Sequence, residues 1–241
     1  MSGARPAILE VESLSAAYGQ AQVLFGVSLT LDRGETVALM GRNGAGKSTT
    51  LKAIMGLVAA SAQRLRFDGR NILGLPTFRI ARMGLGYVPE DRRIFTDLSV
   101  LENLAVGAKA AVSSGRTPWT HARLFSIFPN LAEMGDRRAS QISGGEQQML
   151  SIARTLMGNP QAVLLDEPSE GLAPVIVEQM VEAARRMKAE GIAVLLSEQN
   201  LHFASAIADR AYIIEKGTIR HQGRMADIAA DAALREAYLG V

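Results

Sequence analysis

At 241 residues the chain has room for one large α/β unit or two small ones, with a sizeable buried core. Its composition, 48% hydrophobic, 21% charged and 5% aromatic, excludes a disordered chain, and no apolar run is long enough to span a bilayer. With 26 basic against 24 acidic side chains the net charge of +2 makes no case for nucleic acid, and zero Cys excludes a disulfide framework or a thiolate metal site.

The N-terminal "MSGARPAILEVE" runs straight into strand-like alternation without an apolar signal core, so nothing marks the chain for export. "ILEVESLSAAYG" and "VLFGVSLTL" alternate like antiparallel strands, and "ETVALMG" is a buried strand that ends at Gly41. A helix is expected from about Gly46 to Leu57, then strands at "LRFDG" and "GLGYVP". From about Arg92 to Pro160 the patterns are mainly helical, an insertion in which "SVLE" and "SGGE" form capping boxes that start helices near Ser99 and Ser143. Beyond Pro160 come strand "AVLLDE", a helix from Pro174 to about Glu190, strand "AVLLSE", a helix from Leu201 to Ala208, and strand "AYIIEKG". Val177, Met180, Val181, Ala184 and Met187 form the core stripe of the first of these helices. The alternation predicts a doubly wound sheet with mostly parallel central strands. The pairs Arg92-Arg93, Arg137-Arg138 and Arg185-Arg186 read as solvated faces.

"GRNGAGKS" follows an apolar strand and opens a helix, the context in which a phosphate loop has meaning. Its glycines let backbone N–H groups turn inward on phosphate oxygens, and the helix start adds partial positive charge. The candidate binding residues are Gly41, Arg42, Asn43, Gly44, Ala45, Gly46, Lys47, Ser48 and Thr49, with Lys47 reaching the β- and γ-phosphates and Ser48 ligating Mg²⁺. "AVLLDE" delivers two carboxylates at a strand end. Strand alternation would send them to opposite sides, Asp166 to the Mg²⁺ shell and Glu167 to the water that attacks the γ-phosphate. "ISGGEQQ" opens a packed helix with a glycine-flanked N-terminus, a second anion-ready start that has no lysine of its own. A spare half-site of this kind suits a phosphate brought by another subunit.

With the phosphate loop, "ISGGEQ", "AVLLDE" and "PSEGL" in this order and spacing, the whole chain resembles the ATP-binding subunit of an ABC transporter. "GYVPEDRRIF", "SGGEQQML", "GLAP", "SEQN" and "AYLG" resemble the shorter ATPase of branched-chain amino acid importers. The resemblance implies a P-loop NTPase fold: a mostly parallel core sheet, N-terminal antiparallel strands and a helical subdomain at roughly 92–160 inserted in a single domain, 1–241. It implies ATP and Mg²⁺ as ligands and head-to-tail dimers with itself or a paralogue. In such a dimer Ser143, Gly144, Gly145 and Glu146 face the nucleotide of the other subunit, and Tyr18 stacks on adenine. Glu90 stands where most relatives sense Mg²⁺ with glutamine, Gln199 where most have a switch histidine, and Asp91 and Glu170 where a glycine and a less acidic residue are expected. On this reading Gln199 faces the γ-phosphate and Glu198 is a strand-end neighbour turned away from it. The expected function is ATP hydrolysis at the cytoplasmic face of the membrane, driving uptake of branched-chain or related amino acids through separate permease subunits, with a substrate receptor as an indirect partner. Helical residues near Glu90 to Leu98 and the insertion beyond would dock a cytoplasmic helix of the permease. The rival readings are a lipopolysaccharide-type exporter ATPase and a nucleotide-gated dimerisation module with little hydrolysis.

Overall fold

The computed structural model describes residues 7–109 and 117–240. Two long strands, β1 (Ala7–Tyr18) and β2 (Ala21–Asp32), pair antiparallel. β3 (Thr36–Met40) leads into the glycine loop and α1 (Lys47–Ile54). Short strands β4 (Ala60–Ser61), β5 (Arg64–Phe67) and β6 (Arg70–Asn71) join the first pair in an antiparallel sheet of order β2-β1-β5-β6, with β4 on β1. α2 (Thr77–Arg82) and β7 (Leu85–Val88) follow. The inserted helices are α3 (Val100–Gly107), α4 (His121–Ile127), α5 (Pro129–Glu133) and α6 (Gly144–Met157). Then come β8 (Ala162–Asp166), α7 (Pro174–Ala189), β9 (Ala193–Glu198), α8 (Leu201–Ile207), β10 (Arg210–Glu215), β11 (Thr218–Arg224), α9 (Met225–Ala230) and α10 (Ala232–Tyr238).

The core sheet has the order β11-β10-β3-β9-β8-β7, parallel throughout except for the edge strand β11. β3, β8 and β9 are buried along their whole length because both faces are covered. Val37, Leu39, Leu164 and Leu195 point to one side, against α1 and the antiparallel sheet. Ala38, Met40, Val163, Leu165 and Leu196 point to the other, against α6, α7 and α8. The stripe expected on α7 is the face that packs there, with Met180, Val181, Ala184 and Met187 buried.

Both capping boxes are present, at Ser99 on α3 and Ser143 on α6, each with reciprocal side-chain to backbone bonds. The helix expected to reach Leu57 ends at Ile54, because Gly56 takes a left-handed φ of 68° and lies against the Leu75 carbonyl. Sequence reading did not find α2, β4, β6, β11, α9 or α10. β11 is polar and lies at the sheet edge, with little burial to leave an alternating pattern. Residues 90–98, expected to be helical, form a loop that runs up to α3. Arg92 and Arg93 are both left-handed, at φ 61° and 45°. The fully buried Asn103 meets the loop's backbone in place of a helical ladder, accepting from Phe95 N–H at 2.9 Å and donating to the carbonyls of Phe95 and Ser99 at 2.9 Å each.

Candidate functional site

The register of the core sheet brings the candidate residues to one edge. Met40, the last residue of β3, pairs with Glu198, while Asp166 pairs with Ser197 and Val88 with Leu165. The glycine loop, Gln199, the Asp166-Glu167 pair and Glu90 therefore leave the sheet together at its carboxyl end, where open α/β sheets bind ligands.

The loop is built for close approach. A Cβ on Gly41 would lie 2.4 Å from the Ile214 carbonyl oxygen. Gly46 caps α1 from a left-handed φ of 110°, and a Cβ there would sit 2.9 Å from Leu24. Arg42, Asn43 and Gly44 are exposed, Ala45 and Thr49 buried and Ser48 half-buried. Lys47 is 3% exposed, and its ammonium donates to the carbonyls of Gly41 at 2.8 Å and Arg42 at 3.2 Å and pairs with Glu167 at 3.0 Å. One lysine thus spans the phosphate loop and the end of β8.

Asp166 is wholly buried, accepting from the Ser197 hydroxyl at 2.9 Å and the Tyr87 phenol at 3.0 Å. Burial, reinforced by the Asp166 charge, pushes the Tyr87 phenol far above its ordinary range, so it stays a donor. Glu167 diverges from Asp166 for a different reason from the one expected. β8 ends at Asp166, and Glu167 turns out in a left-handed conformation, φ 46°, its N–H bonded to the Ser197 carbonyl at 3.0 Å. A non-glycine residue held there costs roughly 1–2 kcal/mol, strain of the kind that gathers at functional sites.

Ser48 and Asp166 supply hard oxygen donors suited to Mg²⁺. Among the described residues no three His, Cys, Asp or Glu side chains are arranged to hold a metal by themselves. Phosphate oxygens of a nucleotide, together with water, would complete the shell of a cation at this edge, the usual habit of Mg²⁺.

A cavity of about 180 Å³ next to Glu167 is lined by Glu90, Arg92, Gln148, Glu167 and Glu170. Sequence reading missed Gln148, which is 2% exposed with its Oε1 unpartnered. Glu170 stands beside Glu167, and a hydrogen bond between the two carboxyls, followed by burial, raises its pKa. Arg92 is not a solvated face: it is half-buried, and its guanidinium lies over Gly144 at the start of α6.

At that start Ser143 accepts from the Glu146 N–H at 3.3 Å, and Glu146 accepts from the Ser143 N–H at 2.6 Å. Capping uses the Ser143 oxygen as an acceptor and leaves its O–H free to donate. Gly144 and Gly145 are half-buried, and a Cβ on Gly145 would meet Ile176 at 3.0 Å. Tyr18 is 49% exposed at the tip of the β1–β2 hairpin, whose Leu24 lines Gly46.

Glu198 is the largest departure from expectation. The side chain is 3% exposed and accepts from the Gln199 and Asn200 N–H groups at 2.8 Å each, and from the Ser169 N–H at 3.1 Å. Its carboxylate folds back onto the backbone of the turn that carries Gln199, because β9 ends at Glu198 and Gln199 belongs to that turn. The Gln199 side chain is exposed.

A second groove, about 330 Å³, runs between α2 and the inserted helices and is lined by Thr77, Ala81, Phe95, Val106, Lys109 and Arg154 among others. Phe78, Phe95 and Val106 are each about half exposed there or close by, at 55%, 48% and 56%. Among the described residues no helix is long and apolar enough to cross a membrane.

The family model described as ABC transporter matches residues 24–170. The chain is 42% identical over 233 residues to the high-affinity branched-chain amino acid transport ATP-binding protein BraG of Pseudomonas aeruginosa, covering 97% of this chain and 100% of that one. It is 34% identical over 236 residues to the lipopolysaccharide export system ATP-binding protein LptB of Escherichia coli K12, covering 97% and 98%. A crystal structure of the ADP conformation of an ATP-binding cassette of an ABC transporter superposes with a TM-score of 0.81 at 27% identity, over 98% of this chain and 100% of that one.

Proposed function

The chain belongs to the ABC transporter family of ATP-binding cassettes, and from that footing we propose that it is the ATPase subunit of an importer for branched-chain or related amino acids, lying on the cytoplasmic face of the membrane. The cassette binds ATP with Mg²⁺ and couples hydrolysis to transport through membrane permease subunits. The import reading is carried by the 42% identity to a branched-chain transport ATPase over that protein's entire length. The exporter reading has support of its own in the 34% identity to a lipopolysaccharide export ATPase over 98% of that chain. Proteoliposomes holding this chain with its permease subunits, ATP inside and receptor outside, decide between them. ATP-dependent accumulation of leucine is the expected result. Failure to move leucine, with ATP-dependent extraction of lipopolysaccharide, would transfer the assignment to the exporter class.

In this reading the phosphate-loop N–H groups and Lys47 hold the β- and γ-phosphates. Ser48 and Asp166, with Glu90 near by, would hold Mg²⁺, which would supply neutralisation of charge developing on the phosphates. The γ-phosphate competes with Glu167 for the Lys47 ammonium, and Glu167, released, orients and polarises the attacking water. Ser143, Gly144, Gly145 and Glu146, at the start of α6, serve the nucleotide of a second subunit in a head-to-tail dimer, and the exposed ring of Tyr18 stacks on adenine. The groove beside α2 and α3, with Phe95, Lys109 and Arg154, receives a permease helix.

Gln199 donates an amide hydrogen bond to the γ-phosphate whatever the pH, where a histidine would tie that contact to its own protonation. Such a bond to a charged group contributes about 1.5–3 kcal/mol, so Gln199→Ala is expected to slow turnover about ten- to a hundredfold with little change in ATP affinity. Steady-state phosphate release and nucleotide binding by the assembled complex measure the two separately. Unchanged turnover would remove Gln199 from the site.

A further inference from the structure

Glu198 is a costly residue for a place where phosphate chemistry does not need one. A carboxylate buried to 3% exposure loses its hydration and must recover it from the protein. Its Oε1 accepts from the Ser169 N–H at 3.1 Å and from the Ser169 hydroxyl at 2.5 Å, and its Oε2 accepts from the N–H groups of Gln199 and Asn200 at 2.8 Å each. All four contacts are to neutral donors. Burial pushes its pKa up while these donors pull it down, and the rise wins.

The partners of the two oxygens belong to different loops. Ser169 lies two residues beyond Glu167 in the loop from β8 to α7. Gln199 and Asn200 form the turn after β9, where Asn200 caps α8 by accepting from the Phe203 N–H at 3.1 Å. The Glu167 N–H also reaches the Ser197 carbonyl at 3.0 Å, so the loop after β8 is tied to β9 one residue before Glu198 as well. A glutamine could not replace this carboxylate, because an amide has one acceptor oxygen and would turn N–H donors on N–H donors at the other end.

We propose that Glu198 is a positioning residue for ATP hydrolysis: by holding one loop on each carboxylate oxygen it sets the spacing between Glu167, which orients the water, and Gln199, which contacts the γ-phosphate. The proposal rests on the roles given to those two residues above. Glu198 itself touches no nucleotide and acts through Gln199.

A double-mutant cycle in the assembled transporter tests it, with Glu198→Gln, Gln199→Ala and the double variant compared by steady-state phosphate release. Glu198→Gln is expected to lower kcat at least about tenfold while KM for ATP stays within about threefold. The double variant is expected to be no more than about threefold slower than Gln199→Ala alone, because the second change removes what the first was positioning. If Glu198→Gln does not fold, Ser169→Ala, which deletes only the hydroxyl donor, takes its place in the cycle with the same non-additivity expected. Additive losses, a rise in KM that accounts for the loss, or a normal kcat in the folded single variant would each overturn the positioning role. Phosphate release by the unmodified complex monitors the underlying reading. Its absence would overturn both, whereas an active complex with additive variants overturns this proposal alone.

Discussion

Glu167→Gln is expected to cut phosphate release by the assembled transporter about 10²–10⁴-fold, the range a general base contributes, while Mg²⁺-ATP binding persists and ATP-bound dimers accumulate. The substitution keeps the shape of a side chain that leaves β8 in a left-handed turn and faces the Lys47 ammonium at 3.0 Å. It removes the charge proposed to polarise water. Lys47 keeps its bonds to the Gly41 and Arg42 carbonyls, so the phosphate loop retains its anchor and nucleotide affinity is preserved. Glu170→Gln is the matched control, since Glu170 is a second carboxyl on the same cavity, close enough to Glu167 for the neighbouring carboxyl to raise its pKa. Its effect is expected to be much smaller. Near-normal hydrolysis by Glu167→Gln together with collapse in Glu170→Gln would move the base to Glu170.

Gly145→Asp is expected to abolish ATP-dependent dimerisation and turnover and leave ATP binding by the single subunit intact. Two unit charges about 4 Å apart repel by about 4 kcal/mol in a partly screened site, roughly a thousandfold against closure on a γ-phosphate. The structure adds a steric term that needs its own control. A Cβ at this position meets Ile176 at 3.0 Å, so any side chain requires Ile176, on the first turn of α7, to give by a few tenths of an ångström. Gly145→Ala imposes that cost without charge, and it should retain most of the dimerisation that Gly145→Asp loses. Sedimentation with and without ATP, alongside nucleotide binding by the monomer, separates the outcomes. Loss of primary ATP binding in folded Gly145→Asp would place this helix start at the subunit's own nucleotide and end the head-to-tail reading.

Local chemistry made much of the molecule legible before any coordinates. The continuous apolar runs of β3, β8 and β9, the stripe on α7 and the two capping boxes are written within a few residues of one another, so the sequence by itself determined a mostly parallel α/β core, while the order of its glycine loop, "ISGGEQ" and "AVLLDE" carried the resemblance to the ABC family. Polar edge strand β11 and the short helices α2, α9 and α10 left no such pattern. The loop at 90–98 looked helical because the side chain that replaces its backbone ladder, Asn103, comes from the next helix.

Within the site, sequence determined which residue types gather at the sheet edge, and tertiary structure decided what each one touches. Alternation separates Asp166 from Glu167 only while the strand lasts, and the left-handed turn at Glu167 decides where its carboxylate goes. Lys47 meets Glu167 through the arrangement of α1 and the core sheet, and Gln148 enters the cavity beside Glu170 only because that sheet and the inserted helices fold against each other. Glu198 shows the difference most clearly: as a sequence position it ends a strand, yet in the fold it binds Ser169, 29 residues away, and the turn that carries Gln199. Periodicity reports which side of an element is buried, because burial is set by neighbours three or four residues along a helix or two along a strand. Partners that meet across loops are set by the packing of whole layers, and only the folded chain brings them within hydrogen-bonding distance.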